Sequence, residues 1–266
     1  MHRTIVDLGP LAIRSYGVML VVAFWLGIEL SARTAKKRGL DANRILDMGL
    51  VVLVASLVGS RLLYVITHFS EYQQDRIGIF RVWEGGLTFY GGLIAGIGFG
   101  MAYLWRKGLP VLEVADIVAP QIALGIAIAR IGCFLNGCCF GKESTLPWAC
   151  VFPPDCQAGW VMAGKAVHPT QIYSSIANVA IFLFLKRLLK RGHPRGTVFF
   201  SFLVLYGSWR FVIDYLRYYE SGMYIGPVSI TWNQIVSLVM LATGLALIRR
   251  SVGRGRADEN RAERKS

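Results

Sequence analysis

The sequence predicts an all-α, polytopic membrane protein with about seven transmembrane helices, the N-terminus outside and the C-terminus cytoplasmic. Three observations carry that expectation. Hydrophobic residues make up 54% of the 266 positions and charged residues only 17%, where a soluble domain carries about 25% charged residues. Mean hydropathy is +0.47. The apolar residues also fall into seven runs, each close to the roughly 20 residues that cross a hydrocarbon core. Such a chain has too little charge to cover a water-facing surface. That excludes an ordinary soluble enzyme, and disorder outside the tail.

The runs lie at about 13–32, 46–67, 86–105, 116–136, 171–189, 197–216 and 230–248. No small-residue cleavage site follows the first, so it reads as a span and not as a signal peptide. Nineteen Lys and Arg residues fall on one set of loops plus the tail, and seven on the other; Arg61, Arg130 and Arg210 lie inside runs. Basic residues favour the cytoplasmic side, which sets the orientation. Residues 1–248 then form one transmembrane domain with an outer loop at 137–170. Residues 249–266 form a basic, disordered, lipid-facing tail. The net charge of +13 reads as this orientation signal, so the predicted partner is the lipid bilayer, with no nucleic acid.

An arginine inside a span costs about 2.5–3.5 kcal/mol on insertion scales, so it is usually paired or functional. At a rise of about 1.5 Å per residue, Arg61, Arg130 and Arg210 have each climbed roughly 20–22 Å along inside-to-outside helices. Tyr16 and Tyr90 sit about one turn below the outer ends of two descending helices. Five polar groups are therefore expected near one plane in the outer third of the bilayer. Arg210 and Asp214 are four apart on one helix face, and Arg217 continues that face. Structural ion pairs would account for any single arginine. Three at one depth suit the phosphate of a phospholipid, which a guanidinium grips in a bidentate fork. The glycine-rich third run, from Gly85 to Gly100, reads as close helix packing. No Walker, Rossmann or HExxH motif is present.

All five cysteines lie between Cys133 and Cys156. An odd number cannot all pair within the chain. Structural disulfides or buried thiols are the expectation. Thiolates and His168 could ligate zinc, but CxxC spacing is absent, so no metal site and no cofactor is predicted.

Several segments, taken in order, resemble the prolipoprotein diacylglyceryl transferase family. They are Arg14-Ser15-Tyr16-Gly17, Gly59-Ser60-Arg61-Leu62, Trp83-Glu84 through Leu93, Arg130 through Lys142, His168 through Tyr173, and Tyr206-Gly207 through Asp214. The resemblance implies a bacterial plasma-membrane enzyme of seven spans. Such an enzyme moves the diacylglyceryl group of phosphatidylglycerol onto the lipobox cysteine thiol of a preprolipoprotein and releases glycerol phosphate. The family signature often reads Arg-Ile-Gly-Asn-Phe-x-Asn-Gly-Glu-x-x-Gly. Arg130, Asn136 and Gly141 match it, while Cys133 stands for the first Asn and Cys138 for the Glu. Tyr90 stands where a His is common, Asp214 where a Glu is common, and Ser174 follows Tyr173 where a Glu is common.

On that resemblance Arg130 and Arg210 hold the phosphate. Arg61 is a third phosphate ligand or a structural partner, and Asp214 orients Arg210. Tyr16 and Tyr90 hydrogen-bond the headgroup, and Asn136, Gly141 and His168 join the substrate-binding set. The proton of the attacking thiol goes to Tyr90, to Asp214 or to a phosphate oxygen. Two other classes compete: a membrane thiol–disulfide oxidoreductase using the outer cysteines, and an anion or lipid transporter with an arginine ring.

Overall fold

The structure, a computed structural model, describes residues 4–7, 12–73, 76–81, 85–219, 224–225 and 230–263. Trp83 and Glu84 of the family-like segments, and the last residues of the tail from Arg264, lie outside that set. The helices are α1 (Ser15–Lys37), α2 (Ala42–Thr67), α3 (Phe89–Arg106), α4 (Val111–Asn136), α5 (Gln157–Met162), α6 (Thr170–Leu189), α7 (Thr197–Asp214) and α8 (Trp232–Glu263). Two short antiparallel hairpins pair β1 (Thr4–Asp7) with β2 (Ala12–Arg14) and β3 (Tyr224–Ile225) with β4 (Ile230–Thr231).

Six of the described helices are long and apolar enough to cross a membrane: α1, α2, α4, α6, α7 and residues 232–251 of α8. The third predicted run forms α3, which falls outside that group. Its glycines, tyrosines and terminal Arg106 dilute its hydropathy. Large apolar side chains such as Val21, Trp25, Val54, Phe99, Ile176 and Val239 remain exposed on the helices. Lipid satisfies such faces where water would not. From Arg249, where composition points to a disordered tail, the backbone of α8 instead runs on as helix to Glu263. Arg, Ala and Glu in that stretch are good helix formers.

The chain divides into two compact units, Ile28–Val114 and Met1–Gly27 with Ala115–Ser266. It passes from one to the other inside α1 and again inside α4, so no linker in the sequence marks the division.

In the Ile28–Val114 unit, α2 and α3 meet along small residues. An added Cβ on Gly91 would collide with the Gly59 carbonyl, and one on Gly92 would lie 2.6 Å from Ser60 Oγ and 3.0 Å from the Ser56 carbonyl. Helices in lipid gain little from burying apolar surface, so this closeness supplies the attraction through packing.

In the second unit, α4, α6 and α7 share a core of Ala119, Ala123, Ile181, Leu185, Leu189, Val198 and Phe202. Gly207 lets α7 approach the backbone of α8, where an added Cβ would lie 2.9 Å from the Ser237 carbonyl. The 137–170 loop has its own core of Phe140, Phe152, Cys156, Ala158 and Val167. Asp116, buried inside α4, caps α7 from a distance of eighty residues. Its carboxylate accepts from Gly196 N at 2.6 Å and Phe199 N at 2.8 Å. These are orphan donors of a helix start, and a carboxylate there also complements the helix dipole.

Asp116→Ala strands both donors and should cost about 2–3 kcal/mol of stability. Asp116→Asn keeps one acceptor and should cost about half as much. Thermal unfolding of the detergent-purified protein, followed by tryptophan fluorescence, reads the difference. An Ala variant with an unchanged midpoint contradicts the capping role.

Candidate active site

A narrow cavity in the second unit is lined by Arg130 from α4, Thr170, Ser174 and Asn178 from α6, and Tyr206, Trp209, Arg210 and Ile213 from α7. Cys139 and Arg217, from the segments that follow α4 and α7, complete the lining. Three guanidiniums thus face one space, and among the described residues no carboxylate lines it.

Asp214, with its side chain fully buried, stands behind Arg210. Arg210 Nη1 donates to Asp214 Oδ1 at 2.7 Å, and Arg210 Nη2 donates to Tyr219 Oη at 2.9 Å. Tyr219 Oη in turn donates to Asp214 Oδ1 at 2.5 Å. Thr231, at the start of α8, donates its hydroxyl to Asp214 Oδ2. Burial pushes the Tyr219 phenol above its ordinary pKa, which keeps it protonated as a donor. The i, i+4 pair expected from sequence is present. Tyr219 and Thr231 are additions that spacing along one helix could not reveal.

Arg217 is the guanidinium that the sequence reading left among the loop charges. Its charge lies 5.2 Å from the centre of the Tyr219 ring, and its buried Nε has no protein acceptor. Trp209 Nε1 is likewise buried without an acceptor. Two buried donors with no acceptor among the described residues, beside three cations, make a site suited to an anion.

Arg61 and Tyr90 belong to the other unit. Arg61 is buried and donates to four backbone carbonyls: Gly78 at 2.6 Å, Ile79 at 2.8 Å, Gly85 at 2.7 Å and Gly86 at 3.0 Å. Its plane also lies against the rings of Tyr64 and Tyr72. The guanidinium has five N–H donors, so one remains for anything else. Of the two roles the sequence leaves open, the geometry gives Arg61 a structural one, holding the α2–α3 connection. Tyr90, in the first turn of α3, is 56% exposed and edge-on to Phe89.

Tyr16 lies in the second unit, near Arg130 and the thiols of Cys133, Cys138 and Cys139. It passes close over Gly132, where an added Cβ would come within 3.3 Å of its ring. Asn136, the last residue of α4, stands beside Cys138. Gly141 and His168 join backbones: Gly141 N donates to the His168 carbonyl at 3.0 Å, and Lys142 N to the Leu216 carbonyl at 2.8 Å. A Cβ on Gly141 would meet both of those carbonyls. His168 Nδ1 is buried without a partner, and the ring is edge-on to Tyr173.

The five cysteines are free thiols, so none of the expected disulfides is present. The Sγ atoms of Cys133, Cys138 and Cys139 lie within 4.8 Å of one another, a set able to hold a metal ion. The missing CxxC spacing had argued against this. The end of α4 supplies what the spacing does not. Cys138 N donates back to the Cys133 carbonyl at 3.1 Å, folding the chain over the last turn. Gly137 at φ 69° and Cys139 at φ 61° take left-handed conformations there. Hydrogen bonds from the other two thiols, with Arg217 and Arg130 behind them, hold the Cys139 thiol well below the ordinary thiol range. From α6, Thr170 Oγ1 donates to the Cys139 carbonyl at 2.9 Å and Gln171 Nε2 to the Cys138 carbonyl at 2.8 Å.

Residues 3–250 match the family model described as prolipoprotein diacylglyceryl transferase. The phosphatidylglycerol–prolipoprotein diacylglyceryl transferase of Nostoc sp. (strain PCC 7120) is 34% identical over 248 residues, covering 91% of this chain and 86% of that one. The enzymes of that name from Thermosynechococcus vestitus and Clostridium botulinum (strain Langeland) are also 34% identical. They cover 90% and 93% of this chain and 88% and 96% of their own lengths. With matches of this extent, the chain belongs to the prolipoprotein diacylglyceryl transferase family.

Proposed function

We propose that this protein transfers the diacylglyceryl group of phosphatidylglycerol to the lipobox cysteine thiol of preprolipoproteins, forming a thioether and releasing glycerol phosphate. One observation carries the chemistry: Arg130, Arg210 and Arg217 share a cavity that no carboxylate among the described residues lines. Family membership favours transfer over thiol–disulfide exchange and over transport. The protein is proposed to sit as a multi-pass protein in the bacterial plasma membrane, N-terminus outside and C-terminus cytoplasmic, with the cavity toward the outer leaflet. Phosphatidylglycerol then enters from the bilayer.

The lipid supplies its own leaving group, so the enzyme has two tasks: to stabilise charge on the departing phosphate and to present a thiolate. The three guanidiniums serve the first. Fixed cations aimed at developing charge in a site shielded from water are worth far more than in bulk water. Trp209 Nε1 and Arg217 Nε add donors to the phosphate oxygens. Asp214 is a positioning residue: it accepts from Arg210, Tyr219 and Thr231, which commits three of its about four acceptor sites to holding Arg210 in place. The sulfur of the lipobox cysteine attacks the glyceryl carbon next to the phosphate. The carbon–oxygen bond breaks, its electron pair leaves on the phosphate, and the released monoester can accept the thiol proton. Tyr16 and Tyr90 are proposed headgroup contacts, with Tyr90 kept as a candidate base. Asn136, His168 and Gly141 shape the substrate site through the loop.

The direct test incubates the purified protein with phosphatidylglycerol vesicles and a lipobox peptide. A peptide mass gain of one diacylglyceryl unit supports the reading, and vesicle flux without covalent product sinks it. Arg130→Lys and Arg217→Lys keep the charge and lose the fork, so each should lower turnover by about 10–1,000-fold. Near-normal turnover by either variant removes that residue from the phosphate site. Asp214→Asn should lower turnover by a similar factor while leaving the protein able to bind phosphatidylglycerol more weakly. A rate unaffected by that change means that Arg210 needs no anchor.

A further inference from the structure

The Cys133, Cys138 and Cys139 thiols are unexplained by phosphate binding. Three mutually close thiols with one edge on the arginine cavity are a donor set for a soft divalent ion. We propose that they hold a zinc ion through three thiolates and that its fourth position takes the substrate's cysteine thiol. This deepens the transfer reading and rests on it.

Geometry is the first argument. Around zinc, with Zn–S of about 2.3 Å, tetrahedral sulfurs sit about 3.8 Å apart. The three Sγ atoms already lie within 4.8 Å of one another. Closing the set needs movements of about 1 Å or less, which side-chain torsions supply. The backbone that carries the thiols is held from outside, since Thr170 and Gln171 donate to the carbonyls of Cys139 and Cys138. Cys150 and Cys156 are not part of the set: their thiols face the carbonyls of Trp148 and Pro153.

Charge is the second argument. Zn²⁺ with three thiolates carries one net negative charge. Cys139 lines the same cavity as Arg130 and Arg217, so that charge forms beside cations. Three guanidiniums against Asp214 leave two positive charges, which one phosphodiester and the zinc unit with its three protein thiolates neutralise; the substrate thiolate adds one negative charge until it leaves as the neutral thioether. Softness is the third argument. Thiolates select zinc or copper(I) over magnesium and calcium.

The reaction gains what it otherwise lacks. A metal-bound thiol is deprotonated outright, whereas a free cysteine with pKa near 8.5 is mostly protonated at neutral pH. The incoming R–SH gives up its proton to water as the Zn–S bond forms. Its sulfur then forms the bond to the glyceryl carbon as the carbon–oxygen bond breaks toward phosphate. The thioether product is neutral and a weaker ligand, so it leaves the metal. No oxidant or reductant is needed.

The test uses the full-length protein in detergent. Elemental analysis should find about one zinc per chain, lost in the Cys133→Ser/Cys138→Ser/Cys139→Ser variant and kept in Cys150→Ser. Cobalt substitution should give a sulfur-to-cobalt charge-transfer band, and adding a lipobox peptide should shift the visible bands where its Cys→Ser counterpart does not. If the triple variant fails to fold, thiol counting on the unaltered protein decides. Cys133, Cys138 and Cys139 should be modified more slowly with zinc than after chelation, while Cys150 reacts equally and buried Cys156 stays protected in both. No zinc, no cobalt band and no protection overturn the site. A bound metal whose spectrum ignores the peptide thiol overturns the fourth-ligand role. Full transfer by metal-free protein overturns the inference while the transferase reading stands. A thiol-responsive metal without any lipid transfer does the reverse, supporting the site while the transferase reading fails.

Discussion

The constraint on which the site depends is the placing of three guanidiniums around one small cavity. Like charges repel strongly where water is scarce, and each arginine also loses hydration. The fold answers with a single carboxylate, Asp214, which α7, the segment after it and the start of α8 all hold. Two features follow. The Asp214–Thr231 bond ties the end of α7 to the entry of α8, so those helices must stay close and in register. Gly207 and Gly244 provide the closeness, since a Cβ at either would meet backbone of the facing helix at 2.9 Å. Arg210 meanwhile turns one side to Asp214 and the other to the cavity. A guanidinium so anchored loses less freedom on meeting a ligand than one free to rotate.

The opposite wall has a different support. Arg130 rides on α4, whose far end carries Asp116, the cap of α7. One helix therefore contributes a cation toward its C-terminal end and fixes, near its start, where α7 begins. The loop that leaves α4 is pinned at three places: by α6 through Thr170 and Gln171, by the Gly141–His168 pair, and by Lys142 against Leu216. Gly141 is placed for close approach among these backbones, which makes its contribution to the site indirect. His168 shares that joint through its main chain. The candidate site is thus held by several long-range connections, as a preorganised electrostatic site requires.

The helices were legible because their signal is local: apolar length alone finds a span, and the edges fall within about five residues except at the end of α8. The Arg210–Asp214 pair was legible for a similar reason, since four residues on a helix make neighbours. Depth along a helix was a weaker guide. It put Arg61 at the level of Arg130 and Arg210, yet depth says nothing about direction around the axis. Arg61 points to the carbonyls of residues 78–86. Arg217 continues the Arg210 face in the sequence, but its cavity position depends on the turn after Asp214. Tyr219 meets Asp214 through the turn after α7, and Thr231 only once the β3–β4 hairpin brings the chain back, which no periodicity marks. The thiol set escaped a search by spacing because a helix end, and not a CxxC turn, brings the sulfurs together.

The cysteines also bear on charge within the family signature. Cys133 and Cys138 stand where that signature often carries Asn and Glu, so this chain lacks one formal negative charge beside Arg130. A thiol cannot replace it while protonated. Three ordinary thiols would leave the cavity more positive and would add no new acceptor of comparable strength for the arginines. A single thiolate at Cys139, with the other two thiols donating to it, restores the charge but leaves the sulfurs no common centre. Three thiolates on one divalent ion restore one negative charge and satisfy every sulfur. They also explain why Cys139, which replaces neither signature residue, belongs to the cluster. The substitution is then a coordinated change of three residues, and its energetic sense lies in the same cations that make the cavity fit for phosphate.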